Sequence, residues 1–400
     1  MKNILAFAFY LTAQTAVAQT HLADSLPDRI ILNLTENPQN QQAVNWRTAI
    51  AVKEGQVAQL RKEDNSPDFS DIALRIFKPS TTIFSDKENH GAAYHSVLFD
   101  SLETGHTYNY RVGKEGSWSE WFQFTTATTK DSLTFIYMGD AQNDLRSRWT
   151  RVYRKAIQTA PQASFILHAG DLINRSNTDA EWDEWFYAGN GINSSYPQGM
   201  IPGNHEYFRD DKKNLTLDPH WQQQFNLPRN GISGLEESNY TVNYGPVRII
   251  GLNTQIIMLD SAGRKSQAEW LENILRSNKQ KWTFVLCHHP IYSTSKSRDN
   301  FQFAELFNPI FEKYGVDMLL QGHDHTYARS ALPKKEKKTP VYVVSVAGPK
   351  MYKLDPEKNW IEKSATNTQL FQVIEIKGNK LIFSAYTANG QLYDRFELEQ

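Results

Sequence analysis

The chain reads as two folded units in series, an all-β sandwich followed by a larger α/β (α+β) domain of packed layers. Three observations predict this. At 400 residues the chain exceeds what one compact core usually holds. From Asp28 to Thr126, short runs alternate apolar and polar residues between turn-rich breaks, the period of half-buried strands. After the polar linker Thr128-Thr-Lys-Asp-Ser the texture changes to apolar runs separated by helical stretches, as in an α/β layer. The expected domains are 25–127 and 131–400.

In the first unit the strands are Arg29–Leu34, Ala43–Arg47, His95–Phe99, Thr107–Val112 and Trp121–Thr125, with Trp46 in the core. His95 and His106 read as strand-surface or turn residues. In the second unit Thr134–Met138, Ser164–His168, Val247–Leu252, Trp282–Leu286 and Asp317–Gln321 are short apolar runs of buried-strand type. Amphipathic helices are expected over Arg148–Gln158, Ala180–Tyr187 and Ser266–Arg276, the last opened by Ser266 with Glu269 in a capping box. Alternating strands at Val341–Val346, Phe371–Ile376, Leu381–Tyr386 and Tyr393–Glu397 should complete the sheets, and the run Lys334-Lys-Glu-Lys-Lys reads as a solvated loop.

Composition excludes several classes. Hydrophobic residues at 40% and aromatics at 12% are too many for a disordered chain. A formal charge of -1 offers no bulk attraction to nucleic acid or an anionic membrane, so neither partner is expected. The single cysteine, Cys287, cannot form an intramolecular disulfide or a thiolate zinc cluster, and metal ligands must be nitrogen and oxygen donors. Lys2, the apolar stretch Ile4–Leu11 and Ala16-Val-Ala18 before Gln19 read as a signal peptide over 1–18. That stretch is well short of the ~20 residues that span a bilayer. The mature protein is therefore expected to be periplasmic or secreted, with no membrane anchor.

Gly139-Asp140, Gly170-Asp171, Gly203-Asn204-His205-Glu206, His288-His289 and Gly322-His323-Asp324-His325 each follow an apolar run. In open α/β sheets ligands bind beyond the carboxyl ends of the strands, so these loops should converge on one rim. Carboxylates buried together are costly unless cations compensate, and a set this rich in imidazole and carboxylate suits two divalent ions sharing a carboxylate.

Those five motifs, in this order, resemble the calcineurin-like metallophosphoesterases. Leu102-Glu-Thr-Gly-His-Thr-Tyr-Asn-Tyr in the first unit resembles the turn of fibronectin type III modules. Together they resemble a two-domain purple acid phosphatase, a resemblance that covers nearly all of the mature chain. It implies Asp171 as the bridging carboxylate, with Asp140 and His325 on a first ion and Asn204, His288 and His323 on a second. It leaves His205 to face the phosphate as hydrogen-bond donor or general acid. Iron, zinc or manganese, divalent or trivalent, are the implied cofactors. Phosphate monoesters are the implied substrates, attacked by metal-activated hydroxide. His289, Glu206 and Asp324 are expected to support the ligands, Glu206 and Asp324 by orienting histidines. Strand alternation points Cys287 away from His288.

Two departures matter. Purple acid phosphatases carry Tyr three residues after the bridging Asp, where this chain has Asn174. Relatives without it often place His two residues after the first Asp, where this chain has Gln142. Neither strong donor is present, so Gln142 or Asn174 is a candidate amide ligand or supporting residue and no purple band is expected. The substrate-facing histidines are also missing. In their region Lys296 and Arg298 are the candidate phosphate clamps. A phosphodiesterase or nucleotidase on the same ions, and a binding protein that keeps the fold without turnover, are the alternatives. No Gly-x-Ser-x-Gly elbow or Walker-type loop supports a nucleophilic hydrolase or an NTPase.

Overall fold

The computed structural model describes residues 22–69, 74–86, 90–333 and 339–400. The signal peptide and the Lys334 run lie outside them. The first unit is a sandwich. One face comes from strands Asp28–Asn33, Gln42–Thr48, Gly91–Phe99 and Ser80–Ser85, the other from Val57–Lys62, Thr107–Lys114 and Phe122–Thr125 with shorter neighbours. Trp46, Leu60, Phe99, Tyr110, Val112 and Phe124 fill the space between them. His95 is buried rather than on the surface: its ring stacks on Trp46 at 5.1 Å and bonds Thr48 and Thr81, each at 2.9 Å. Burial lowers it to about 4, so it sits there as a neutral imidazole.

The second unit packs two sheets face to face. Strand Ser132–Met138 runs parallel to Ile166–His168, which runs parallel to Gln198–Met200. In the facing sheet Val247–Leu252, Trp282–Cys287, Met318–Gln321 and Val341–Val344 are parallel in that order. Phe135 meets Phe284 edge-on at 5.2 Å between the layers. Alternation then sorts the strand Trp282–Cys287: Phe284 and Leu286 join the inter-sheet core, while Val285 and Cys287 pack with Leu271, Phe303 and Phe307 of the helices Ser261–Arg276 and Phe301–Tyr314. The other layer is served by helices Thr150–Thr159 and Asp179–Ala188, which supply Val152, Tyr153, Trp182 and Trp185. Strands Leu370–Lys377, Lys380–Thr387 and Leu392–Glu399 extend the first sheet antiparallel, as expected of the C-terminus.

One further expectation needs correction. Helix Ser261–Arg276 begins before Ser266, because Asp260 caps it by accepting from the amides of Ala262 at 3.1 Å and Gly263 at 3.0 Å. The two units do not keep separate sheets. Asn33 pairs with Gln198, so one ten-stranded sheet runs from the C-terminal strands through the α/β layer into the sandwich. Buried ion pairs reinforce the seam: Asp179 holds Arg29 at 2.7 Å and Arg47 at 3.1 Å, and Arg47 holds Asp28 at 2.7 Å.

Candidate metal centre

The parallel strands end on one rim, and the singled-out residues stand there. Asp140 follows strand Ser132–Met138, Asp171 follows Ile166–His168, and Asn204 and His205 follow Gln198–Met200. His288 follows Trp282–Cys287, and His323 and His325 follow Met318–Gln321. The turns are sharp. Asp140, Asp171, His323 and His325 have φ of 49°, 51°, 73° and 48°, a left-handed conformation that costs an ordinary residue on the order of 1 kcal/mol or more. Gly203 is required for a different reason: a Cβ there would lie 2.2 Å from Asp171 Oδ1 and 2.8 Å from His288 Cε1.

Two groups of donor atoms result. Those of Asp171, His288 and His323 lie within 4.8 Å of one another, as do those of Asp140, Asp171 and His325. Asp171 belongs to both. Backbone carbonyls aim the imidazoles: His288 Nδ1 donates to Ala169 O at 2.8 Å and His325 Nδ1 to Lys350 O at 3.1 Å, which turns each Nε2 lone pair inward. His288 Nε2 then lies 3.2 Å from Asn204 Oδ1, 3.3 Å from Asp171 Oδ2 and 3.1 Å from His323 Nδ1. With the His323 proton on Nε2 all of these atoms are acceptors, and acceptors this close repel unless a cation stands among them. A proton on His288 is one such cation: burial works against it, but the Asp171 carboxylate prevails and raises the imidazole to about 9. A divalent metal is the other, and the mixture of imidazole, carboxylate and amide oxygen suits zinc, iron or manganese. Burial depresses His325 to about 3 and His323 well below its ordinary value, which keeps both in the neutral form that binds metal. The two carboxyls diverge. Burial, helped by Asp171, pushes Asp140 up, whereas His288 overrides burial and holds Asp171 well below the carboxylate range.

The supporting residues differ from expectation. Glu206 and Asp324 do not orient histidines. The fully buried Glu206, raised to about 7 by burial, accepts from the amides of Gly203 at 2.6 Å, Leu172 at 2.7 Å and Asp171 at 2.9 Å. It ties the Asp171 loop to the Asn204 loop. Asp324 accepts from Arg298 at 2.5 Å, Ser293 at 2.8 Å and the Thr294 amide at 2.6 Å. Arg298 also reaches His323 O at 3.1 Å and so lies at the rim, whereas Lys296 is 79% exposed beside Glu357. His289 bonds Thr254 at 3.0 Å and packs its ring 4.2 Å from that of His323. Cys287 is buried in the helical layer, where desolvation pushes its thiol up, and it is inert.

His205 is fixed at both ends. Its amide donates to Asp171 Oδ1 at 3.0 Å and its Nδ1 to Asn174 O at 2.6 Å, which leaves Nε2 facing the centre 4.0 Å from Asp171 Oδ2. Asn174 thus contributes its carbonyl, and its amide donates to Glu181 at 2.7 Å. Gln142 presents its amide nitrogen, not its oxygen, to Asp171 Oδ2 at 2.6 Å. Sequence reasoning missed what the oxygen does: it accepts from Lys350 at 3.3 Å, and Tyr352 packs its ring 4.6 Å from His325. The signal was there, since Gly348-Pro-Lys350 follows the strand Val341–Val344 just as the other loops follow theirs.

Comparison with known proteins bears on the family and the fold. Residues 133–327 match the calcineurin-like phosphoesterase family, and residues 27–126 match the purple acid phosphatase N-terminal domain. Acid phosphatase type 7 of Mus musculus is 28% identical over 259 residues, 59% of this chain and 56% of its own length. Its Danio rerio counterpart is 26% identical over 332 residues, 73% of this chain and 68% of its own length. The fold is that of purple acid phosphatase PPD1 from yellow lupin (Lupinus luteus) seeds, with a TM-score of 0.78 and 18% identity over 94% of this chain and 74% of that one. Residues 133–327 thus form a calcineurin-like phosphoesterase domain, preceded over residues 27–126 by a purple acid phosphatase N-terminal domain.

Proposed function

We propose that the protein is a metal-dependent phosphatase that hydrolyses phosphate monoesters. One observation carries this reading: two groups of acceptors share Asp171, and Nε2 of His205, which belongs to neither group, faces them 4.0 Å from Asp171 Oδ2. Asp140, Asp171 and His325 would hold the first ion, and Asp171, Asn204, His288 and His323 the second. Bound there, two divalent ions lower the pKa of water and neutralise phosphoryl oxygens.

The chain's own residues do the rest. Glu206 fixes the spacing of two ligand loops by gathering three of their amides. Because Nδ1 of His205 donates to Asn174 O, Nε2 is the atom that meets substrate, and it is the imidazolium form that donates from it a hydrogen bond to a phosphoryl oxygen or a proton to the leaving group. Arg298, pinned by Asp324, adds positive charge at the rim. Export follows from the signal-type N-terminus, with cleavage after Ala18 and a periplasmic or extracellular mature protein. Among the described residues no helix is long and apolar enough to cross a membrane.

The test is turnover of p-nitrophenyl phosphate and of its bis ester by protein stripped of metal and reloaded with manganese, iron or zinc. Monoester hydrolysis that requires the added metal and outpaces the diester is the expected result. Faster diester turnover would move the substrate class, and no turnover with ions bound would overturn the enzyme reading.

A further inference from the structure

Gln142 Nε2 stands between two of the atoms that the first ion would need, donating to Asp171 Oδ2 at 2.6 Å and lying 3.3 Å from the inward lone pair of His325 Nε2. The side chain is fully buried, so no bulk water competes for its amide. Its orientation is dictated from both ends. An ammonium can only donate, so the atom that faces Lys350 Nζ at 3.3 Å is the oxygen. A carboxylate can only accept, so the atom that faces Asp171 is the nitrogen. Turning the amide over would aim its oxygen at an ion but set its NH2 against the ammonium. Lys350 is held in turn, with its ammonium 5.6 Å from the Tyr352 ring that packs on His325.

We propose that Lys350 is a positioning residue that locks Gln142 in a non-ligating orientation and thereby keeps the first ion weakly bound relative to the second. This rests on the two-ion reading above. Its sign is diagnostic. Removing an ordinary supporting partner loosens a metal, whereas removing Lys350 leaves the amide held only by Asp171, so an ion that takes over that carboxylate lets the amide turn its oxygen inward and is bound more tightly.

The experiment is a calorimetric titration of the metal-stripped full chain with Mn2+. Two classes of site are expected. Lys350→Met should tighten the weaker class by about tenfold, within the range over which outer partners tune metal affinity. Lys350→Arg, which also can only donate, should leave it unchanged. Gln142→Ala removes the competing amide, should tighten the same class, and supplies the readout if Lys350→Met does not fold. Unchanged or weaker binding in folded Lys350→Met or folded Gln142→Ala overturns the proposal. A single class indifferent to Asp140→Asn would instead overturn the two-ion reading.

Discussion

The seam between the two units and the rim of the α/β layer are built from the same residue types, yet one is a lock and the other a trap. At the seam Asp28, Asp179 and Asp218 face Arg29, Arg47 and His220, so charge answers charge at 2.7 to 3.7 Å, although Arg29 Nε and His220 Nε2 have no hydrogen-bond partner among the described residues. At the rim Asp140 and Asp171 face imidazoles whose protons are turned outward onto carbonyls. Burial alone does not separate the two, since both are nearly dry. The balance of charge does. Where it closes the chain gains rigidity, and where carboxylates outnumber fixed cations the chain gains affinity for a metal ion.

Breaking the rim should give the largest effect. Asp171→Ala removes the atom common to both groups and is expected to lose both ions and all measurable turnover, read by elemental analysis beside the phosphatase assay; retention of both ions would remove Asp171 from its bridging place. Breaking the seam should spare the metal and cost stability. Asp179→Asn leaves Arg29 buried without its carboxylate and Arg47 with Asp28 alone, and should destabilise by about 3–5 kcal/mol in denaturant unfolding. His205→Ala sharpens the contrast inside the rim: full metal content with kcat down ~10^2 to 10^4 is expected for a donor to substrate, and lost metal would make it a ligand.

Acidity should distinguish the seam's own members, with a smaller effect. Burial disfavours the charged form of Asp179, but His220, Arg29 and Arg47 prevail and hold its carboxyl below the usual range, so its contribution is present above its unfolded pKa of ~3.9 and is lost as pH falls. Burial likewise opposes charge on His220, yet Asp179 and Asp218 raise it, so its contribution is complete below ~6.5 and fades as pH rises through the raised value. Thermal stability should therefore peak between those limits. His220→Gln should flatten the alkaline side alone; an unaltered profile would remove His220 from the balance. The mildest expectation is spectroscopic: the iron-loaded protein should lack a visible phenolate band, because Asn174 stands where a tyrosine ligand would.

Much of this was legible in the sequence for a physical reason. A parallel strand buried on both faces is an unbroken apolar run, and the polar cluster after it marks the turn onto the rim, so Asp140, Asp171, His288, His323 and His325 could be set on the rim from sequence, whereas Asn204 was reached through the family motif because its strand, Gln198–Met200, carries no such run. Strand Ile361–Ala365 escaped notice because it is an edge strand whose Glu362 is exposed, which hides the apolar period. The shared sheet escaped because it hangs on Asn33 meeting Gln198, two residues far apart in the chain. Glu206 and Asp324 were misread since their partners are backbone amides, a hydroxyl and a guanidinium, and backbone direction leaves no trace in residue type. Lys350 was passed over because a lone lysine in a loop ordinarily means solvent.

The continuous sheet also bears on how the molecule could be taken apart. Strand Gln198–Met200 leads directly into the loop of Asn204 and His205, and its outer neighbour is Asp28–Asn33 of the sandwich. A chain trimmed to residues 131–400 would expose that neighbour's place as an unprotected edge, a template for pairing with other molecules. Aggregation of such a fragment, with the Asn204 loop loosened at its root, would mark the N-terminal module as a buttress of the reaction site and not an appendage.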